Sequence, residues 1–332
     1  MRFGVALLGL DHWYTAHGVC EIASKSENVA LIGIQSPHEL HRAWAQEKYP
    51  SISVTDDPAA VLSRNDVHLV AICAPTADAP ALAKQALAAG KHVVAVKPSA
   101  TTLTELDDVI AAAETAGKFF GSFEGMQRLT PRIVKLRELI QSGAIGTPLS
   151  YHQIGHGGLP SPWPGQPGGA HSWWIDATKA PTGAWTDHAI YAIDLARFVF
   201  GGEVVWSAGL IENRVHTELA LEDYGIALLK LQPDSGGSPV SLMLEDTWAA
   251  APGGGAHRVL FIGTHGTIRP EGNDWVVSAN GEEIHHTPDS SPFFPLDTLA
   301  NALTQNTEIP WTATDARANF AACLSVYSVS GG

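Results

Sequence analysis

Short apolar runs alternate with segments of helical periodicity over the first third of the chain. This alternation is typical of βαβ units, in which each helix carries the chain back across a parallel sheet. The pattern therefore predicts an α/β domain with a doubly wound parallel sheet. The predicted strands are 3–9, 30–34, 67–74, 92–96 and 119–123, and the predicted helices are a segment ending at 22, then 38–48, 79–89 and 103–116.

The pattern changes after an amphipathic helix predicted over 131–145. Strand-like runs then follow one another with few helices between them, which indicates an antiparallel sheet. We predict a second α/β domain with a large, open, mainly antiparallel sheet, and domain limits of 1–122 and 123–332. Its predicted strands are 149–153, 204–211, 224–231, 240–246, 259–263 and 275–278, and its predicted helices are 183–200, 295–305 and 313–328.

Composition and charge narrow the function classes. The chain has 332 residues, 45% hydrophobic and 16% charged, which is typical of a two-domain globular protein. A formal net charge of −14 argues against a nucleic acid or an anionic membrane as partner. The early apolar run is too short for a signal core or a membrane span, so we expect a cytoplasmic protein. Three widely separated cysteines predict neither a disulfide framework nor a cysteine zinc cluster.

Lys97-Pro98 directly follows one of the buried-strand patterns, 92–96. A lysine there would lose its hydration inside the sheet, so we expect it at the carboxyl end of the strand, where open α/β sheets bind ligands. Far downstream, Asp187 and Tyr191 are four residues apart and share one face if the segment is helical. Lysine, carboxylate and phenol meeting at one cleft would suit a hydride-transfer enzyme.

These features resemble the Gfo/Idh/MocA oxidoreductase family along nearly the whole chain. The resemblance implies a Rossmann domain that binds NAD or NADP, oxidation of a sugar or polyol hydroxyl, and an open sheet that forms a homodimer or homotetramer. The matching segments are Gly9 with His17, Ala74-Pro75-Thr76, Gly90-Lys91-His92-Val93, Val96-Lys97-Pro98, Arg128 with Pro131, 142–146, 183–194, 263–266 and Val326-Tyr327-Ser328.

The resemblance also implies roles for individual residues. Lys97 matches the lysine of the family's Glu-Lys-Pro motif, with Val96 in place of glutamate. Asp187 matches the family carboxylate and Tyr191 the acid/base residue, while His188 is a second catalytic candidate. Tyr191 could instead be a packing residue, and Arg128 could form a salt bridge rather than contact substrate. The predicted substrate-binding residues are Lys97, Arg128, His156, Trp174, Asp187 and His188.

The dinucleotide-binding loop departs from the family pattern. Of the glycines of G-x-G-x-x-G, Gly9 alone remains; Asp11 places a carboxylate where pyrophosphate approaches, and Tyr14 places bulk where the helix packs. The expected acidic residue is missing after the second strand, where Ser36 and His38 could bind a 2′-phosphate or Ser36 could cap a helix. We therefore leave NAD or NADP open. The predicted cofactor-binding residues are Gly9, Asp11, His12, Trp13, Ser36, His38, Ala74, Pro75, Thr76 and Lys97.

Histidines and tryptophans suggest further interpretations. A zinc-type site would use His152, His156, His171, Asp187 and His188, but no tight ligand pair is present, so we predict no metal. Trp163, Trp173, Trp174 and Trp185 could stack on sugar rings, and Trp173 and Trp174 would face opposite ways in an extended chain. The alternative function is a non-redox family member, either a sugar-binding or regulatory protein or a metal-assisted lyase or hydrolase.

Overall fold

A computed structural model of the protein describes residues 2–164, 172–251, 253–291 and 293–330. These residues form two compact units. The first unit comprises the described residues of 1–125, 161–181 and 294–317, and the second those of 126–160, 182–293 and 318–332. Two late segments thus join the first unit, which the predicted limits 1–122 and 123–332 did not anticipate. Long-range packing decides this division, and a local sequence pattern does not report it.

The first unit contains the predicted doubly wound parallel sheet. The sheet order is β3-β2-β1-β4-β5-β6, and every pairing is parallel. Strand β3 and helix α3 were not predicted, because β3 has three residues and no buried apolar run. The elements are β1 (Phe3–Leu8), α1 (Trp13–Lys25), β2 (Val29–Gln35), α2 (Glu39–Lys48), β3 (Ser53–Thr55), α3 (Pro58–Leu62), β4 (Leu69–Ile72), α4 (Ala79–Ala88), β5 (His92–Ala95), α5 (Leu103–Ala116) and β6 (Phe120–Ser122).

The ends of α5 show how local residues delimit the elements. The Thr102 side chain accepts a hydrogen bond from the Glu105 backbone N–H at the start of the helix. At its other end Gly117 has φ +61°, the left-handed conformation that stops a helix and that glycine adopts without a steric penalty. Both limits of α5 were therefore readable from the sequence.

The second unit contains the large, mainly antiparallel sheet that was predicted. Its order is β14-β13-β12-β11-β7-β10-β9-β8, and the β7–β10 pair is parallel. Strands β12 and β14 were missed, since both carry many polar residues and β14 is largely exposed. The elements are α6 (Pro131–Gln141), β7 (Pro148–His156), α7 (Ala184–Phe200), β8 (Gly202–Glu212), β9 (Tyr224–Pro233), β10 (Val240–Thr247), β11 (Ala256–Gly263), β12 (Gly266–Glu271), β13 (Asp274–Ala279) and β14 (Glu282–His286).

Two further helices follow, α8 (Pro295–Gln305) and α9 (Ala313–Tyr327), as predicted. In the second unit, α7 packs on the inner face of the sheet. From Ala184 to Val199 every side chain of α7 is buried except those of His188 and Tyr191. A helix that is apolar nearly all round requires such burial, so the two exceptions stand out.

Candidate active site

The turn after β1 retains the first glycine of the dinucleotide-binding pattern for a clear steric reason. Gly9 has φ +76°, and a Cβ at this position would lie 2.6 Å from the Ala74 backbone nitrogen. Only glycine fits such a close approach without strain. The turn therefore brings the start of α1 beside the end of β4, where Ala74, Pro75 and Thr76 follow, and forms the cradle that a dinucleotide-binding domain needs.

Asp11 is turned toward the end of β2. Its Oδ1 lies 3.1 Å from Nε2 of His38, and its side chain is 9% exposed. The hydrogen bond to Asp11 is the main cause that raises the pKa of His38 above its ordinary value. The predicted conflict between Asp11 and a pyrophosphate is therefore reduced, because an imidazole faces the carboxylate and balances its charge when protonated.

Ser36 forms a local turn. Its buried hydroxyl accepts a hydrogen bond from the His38 backbone N–H at 3.2 Å and contacts Nδ1 of His41 at 3.1 Å. This favours the local structural interpretation of Ser36 over contact with a 2′-phosphate. Burial lowers the pKa of the neighbouring His41 to about 4, so this imidazole is neutral at physiological pH.

The expectation that Tyr14 occupies the helix-packing position is wrong. Tyr14 is 45% exposed, whereas α1 packs through small and apolar residues on its other face. The physical reason is the helical register: the buried positions of α1 recur every three to four residues and leave Tyr14 outside. The residues that α1 buries are Ala16, Val19, Cys20 and Ala23.

The tryptophan pair lies in the first unit, beside the cofactor loop. Trp173 and Trp174 stack on each other at 4.5 Å between ring centroids, because residues 173–175 form a 3-10 turn and not an extended chain. The prediction that the two rings face opposite ways assumed an extended chain, which residues 173–175 do not form. Trp174 also stacks on Tyr14 at 5.4 Å and meets His12 edge-on at 4.7 Å. Trp174, predicted to bind substrate, therefore contacts predicted cofactor-loop residues.

The first unit also contains a cavity of about 310 Å³, a size typical of small-ligand sites. Among its walls are the turn after β1, the start of α2, the loop after β4 and the segments on either side of 165–171. Trp13 contacts one of these segments, because its Nε1 donates a hydrogen bond to the Ser161 carbonyl at 3.0 Å. The described lining residues are Asp11, His38, His41, Pro75, Asp78, Pro162, Trp163, Ser172, Trp173, Trp174, Asp176 and Lys179.

Lys97 follows β5 at its carboxyl end, as predicted, and is 3% exposed. The peptide bond between Lys97 and Pro98 is cis. A buried lysine needs hydrogen-bonding or charged neighbours to replace its lost hydration. Lys97 is therefore unlike an ordinary surface lysine.

The start of α7 is fixed by a buried carboxylate from the loop before β9. Glu222 accepts hydrogen bonds from the backbone N–H groups of Gly183 at 2.9 Å and Trp185 at 3.1 Å. The Tyr327 hydroxyl donates to the same carboxylate at 2.6 Å. This arrangement holds the helix that carries Tyr191, and the sequence analysis did not identify Glu222.

A cavity of about 560 Å³ in the second unit faces one strip of α7. The α7 residues that line it are His188, Tyr191 and Leu195, spaced at helical intervals on one face. Asp187 and Tyr191 lie four residues apart on this helix and so share one face as predicted, although Asp187 is not among the described residues that line the cavity. Asp187 is buried, and its Oδ2 accepts a hydrogen bond from Nε1 of Trp248 at 3.1 Å.

His188 lies between two buried carboxylates. Its Nε2 is 3.9 Å from Oδ2 of Asp187, and its Nδ1 is 4.0 Å from Oδ1 of Asp246. Asp246 is fully buried on β10 and was missed by the sequence analysis, although a carboxylate that ends an apolar strand pattern was a usable signal. Asp187 and Asp246 thus lie on either side of the His188 imidazole.

Arg128 and His156 were also predicted to contact substrate. Arg128 is 6% exposed and forms an ion pair with the fully buried Asp194 at 2.6 Å, which supports the salt-bridge interpretation. His156 lines the cavity of the second unit, and its Nε2 lies 3.3 Å from Oε1 of Glu245. Gln153, also missed, lines the same cavity and accepts a hydrogen bond from the Tyr151 hydroxyl.

The histidines proposed for a metal site do not assemble among the described residues of the second unit, and His171 lies outside the described residues. The described residues that do bring three donor atoms within 4.8 Å of one another are Asp11, His38 and His41 in the first unit. Among the described residues, the candidate cation ligands therefore lie after β1 and at the start of α2 in the first unit, and not beside the cavity of the second unit.

Two family models match consecutive parts of the chain. Residues 3–123 match the oxidoreductase family with an NAD-binding Rossmann fold, and residues 133–269 match the Gfo/Idh/MocA C-terminal domain. The chain therefore belongs to the Gfo/Idh/MocA oxidoreductase family. The predicted class, an NAD- or NADP-dependent dehydrogenase or reductase acting on CH–OH groups, is confirmed at this level.

The curated relatives include oxidoreductases of sugars and inositols. The chain is 26% identical to the uncharacterized oxidoreductase YrbE of Bacillus subtilis over 82% of this chain and 79% of that protein. It is 29% identical to a levoglucosan dehydrogenase of Pseudarthrobacter phenanthrenivorans over 48% of this chain and 40% of that protein. It is 33% identical to an inositol 2-dehydrogenase of Acidothermus cellulolyticus over 60% and 53%, respectively.

Solved structures share the fold at lower identity. The aldose-aldose oxidoreductase from Caulobacter crescentus, complexed with glycerol, has a TM-score of 0.83 at 19% identity over 99% of this chain and 98% of that one. An oxidoreductase from Agrobacterium radiobacter in complex with NAD+, L-tartaric acid and magnesium has a TM-score of 0.80 at 18% identity over 100% and 97%. Within the described part of the chain, no helix has the length and apolarity needed to cross a membrane.

Proposed function

We propose that the protein is a nicotinamide-dependent dehydrogenase or reductase of a neutral sugar or polyol, with Tyr191 as the proton-transferring residue. The observation that carries the proposal is the strip of His188 and Tyr191 on the otherwise buried α7, facing the cavity of the second unit. Both side chains can exchange a proton, and both face a cavity although the rest of the helix is packed in the core. This combination is typical of a reaction site.

Three features of the first unit fit a bound dinucleotide. Gly9 provides the cradle, α1 begins without a side-chain cap and without an acidic residue in its first turn, and a ligand-sized cavity lies at the end of β2. A helix start of this kind favours a phosphate. Gly9, the first turn of α1 and the loop at Pro75 would hold the cofactor.

Oxidation of an alcohol removes a hydride from carbon and a proton from oxygen, and a bound nicotinamide would accept the hydride. The chain must supply the proton acceptor. Tyr191 lines the cavity directly, and its position on α7 is fixed by the Glu222 cap. We propose that His188, which lies between Asp187 and Asp246, hydrogen-bonds a substrate hydroxyl. The catalytic role of Lys97, at the end of β5 in the first unit, stays a prediction from the family resemblance.

The cavity lining supports a neutral, polyhydroxylated substrate. Its walls combine hydrogen-bonding side chains with apolar residues such as Leu195 and Val259, a combination suited to hydroxyl groups and to the apolar C–H surface of a sugar. The names of the levoglucosan and inositol dehydrogenase relatives agree with this class. Polar side chains in the lining are Gln127, Arg132, Gln153, His156, His188, Tyr191, Asp246 and His257.

A mutational comparison tests the assignment of Tyr191. We expect Tyr191→Phe to lower kcat by about 10²–10⁴-fold, the range for loss of a general acid or base, while His188→Gln mainly raises KM. Initial rates would be measured with NADH and NADPH formation across a panel of sugars and polyols, using Lys97→Ala as the low-activity reference. A Tyr191→Phe enzyme with near-normal kcat, together with an inactive His188→Gln enzyme, would transfer the role to His188.

We also propose that the open sheet forms a homo-oligomer. One face of β8, β9 and β10 exposes Trp206, Leu228 and Met243, which are 48%, 47% and 43% exposed, and Met243 is directly paired with Leu228. Such a contiguous apolar face favours association. Light scattering after size exclusion should report a dimer or tetramer, and Leu228→Lys with Met243→Lys should shift it to monomer. Val134→Lys, on the exposed face of α6, is the matched control, and a monomeric wild-type protein would contradict the proposal.

A further inference from the structure

We propose that Asp11 is the residue that selects NAD over NADP, replacing from another loop the acidic residue that the end of β2 lacks. This inference rests on the proposed dinucleotide-dependent function and names the cofactor within it. It joins two departures from the usual dinucleotide-binding pattern, an aspartate in place of the second glycine and the missing carboxylate after β2, into one explanation.

The contact between Asp11 and His38 joins the turn after β1 to the connection after β2. Asp11 belongs to the turn after β1, whereas His38 is the residue that precedes α2. The distance of 3.1 Å between Oδ1 of Asp11 and Nε2 of His38 places the carboxylate beside a side chain of the connection that follows β2. Rossmann domains that use NAD place an acidic side chain at this end of the strand, where it accepts a hydrogen bond from the ribose 2′-hydroxyl. Asp11 would make that contact here.

The charges around the cavity of the first unit disfavour a 2′-phosphate. Three carboxylates line it, those of Asp11, Asp78 and Asp176. Two groups in the lining can oppose them: Lys179, which lies 3.1 Å from Asp78, and His38, which faces Asp11 when protonated. A phosphate carries close to two negative charges at neutral pH, and its placement among carboxylates is repulsive. A ribose hydroxyl carries no charge and can donate a hydrogen bond to Asp11.

The groups that commonly bind a 2′-phosphate are already engaged. The Ser36 hydroxyl is buried and contacts the His38 backbone and His41. Nη1 of Arg42 donates to the backbone carbonyls of Ser36 and Pro37 at 2.9 and 2.8 Å. The imidazole of His38 faces Asp11. Recognition of a phosphate by Ser36 or by the imidazole of His38 would require these contacts to be exchanged, whereas recognition of a hydroxyl by Asp11 leaves them intact.

A divalent cation is the competing occupant of this cluster, because Asp11, His38 and His41 place donor atoms within 4.8 Å of one another. Ligand atoms around zinc lie about 3.3 Å apart when bonds are about 2.0–2.1 Å long, so His41 would have to move closer to complete a site. The existing Asp11–His38 contact needs no such movement. Nucleotide binding therefore fits the cluster as it stands better than a cation does, and the experiment below distinguishes the two.

The experiment is a titration of the metal-stripped protein with NADH and, separately, with NADPH. Tryptophan fluorescence reports the binding. We expect the wild-type protein to bind NADH at least about tenfold more tightly than NADPH. Asp11→Asn keeps the size of the side chain and removes its charge, so the preference should fall by about tenfold or more, with tighter NADPH binding contributing. Asp108→Asn, an exposed aspartate on α5, is the matched control and should leave the ratio unchanged.

The outcomes separate this inference from the function on which it rests. Binding of neither nucleotide would remove the dinucleotide-dependent function and this inference with it. Equal or tighter binding of NADPH by the wild-type protein, or an unchanged ratio in Asp11→Asn, would overturn the role of Asp11 alone. Titration with Zn²⁺ is run in parallel: micromolar binding lost in Asp11→Asn, with an unchanged nucleotide ratio, would assign the cluster to a cation instead. If Asp11→Asn does not fold, the wild-type ratio and Asp11→Ser decide the matter.

Discussion

The two helices that carry candidate functional residues, α1 and α7, begin in opposite ways. The start of α7 is satisfied from within the protein, since the buried carboxylate of Glu222 accepts hydrogen bonds from the N–H groups of Gly183 and Trp185. The start of α1 has no side-chain cap and no acidic residue in its first turn. The N-terminus of a helix carries partial positive charge and attracts an anion in either case.

The positive end of a helix can thus either be stabilised by a carboxylate of the protein or be available to an anionic ligand. In α7 the carboxylate is part of the chain, so the helix becomes a rigid support for Tyr191 and His188. In α1 the residue before the helix supplies no side-chain cap, and the matching family model describes this domain as an NAD-binding Rossmann fold. The start of α7 therefore has a structural role, and the start of α1 fits the phosphate group that we propose it binds.

The largest effect is expected from removing the α7 cap. Glu222→Ala leaves backbone N–H groups and the Tyr327 hydroxyl without their carboxylate, and we expect a loss of about 2–4 kcal/mol in the free energy of unfolding. Tyr327→Phe removes one donor to the same carboxylate and should cost about 1 kcal/mol. Urea unfolding measures both. The exposed Glu218→Ala is the control, expected within about 0.5 kcal/mol of wild type; a Glu222→Ala protein equally close to wild type would contradict the cap.

A smaller effect concerns pH. Burial is the largest cause that raises the pKa of Glu222 above its ordinary 4.5, opposed by the hydrogen bonds from Tyr327, Gly183 and Trp185. The folded state therefore binds the proton more tightly than the unfolded state, and this residue's contribution to stability falls as pH rises from the unfolded pKa through the folded one. Glutamine cannot titrate, so the melting temperature of wild type minus that of Glu222→Gln should decrease over this range. A difference that stays flat or increases with pH would show that burial does not dominate.

The sequence by itself determined the parallel and antiparallel sheets, the position of Lys97 after β5 and the placement of Tyr191 on a buried helix. These features follow from short-range periodicity: an apolar run or a helical repeat reports its own burial within about ten residues. Strands with few buried apolar positions, such as β3 and β14, gave no such signal. The resemblance to a known family, carried by short motifs in the right order, added the cofactor class.

The tertiary structure alone decided which side chains meet. It paired Asp11 with His38, set Glu222 at the start of α7, placed Asp246 beside His188 and returned the Trp173–Trp174 turn to the first unit. Each of these contacts joins residues far apart in the chain, and the loops that carry them have no periodicity. Hydrogen bonds and charge pairs depend on distances of a few ångströms, which the folded chain sets and the order of residues does not.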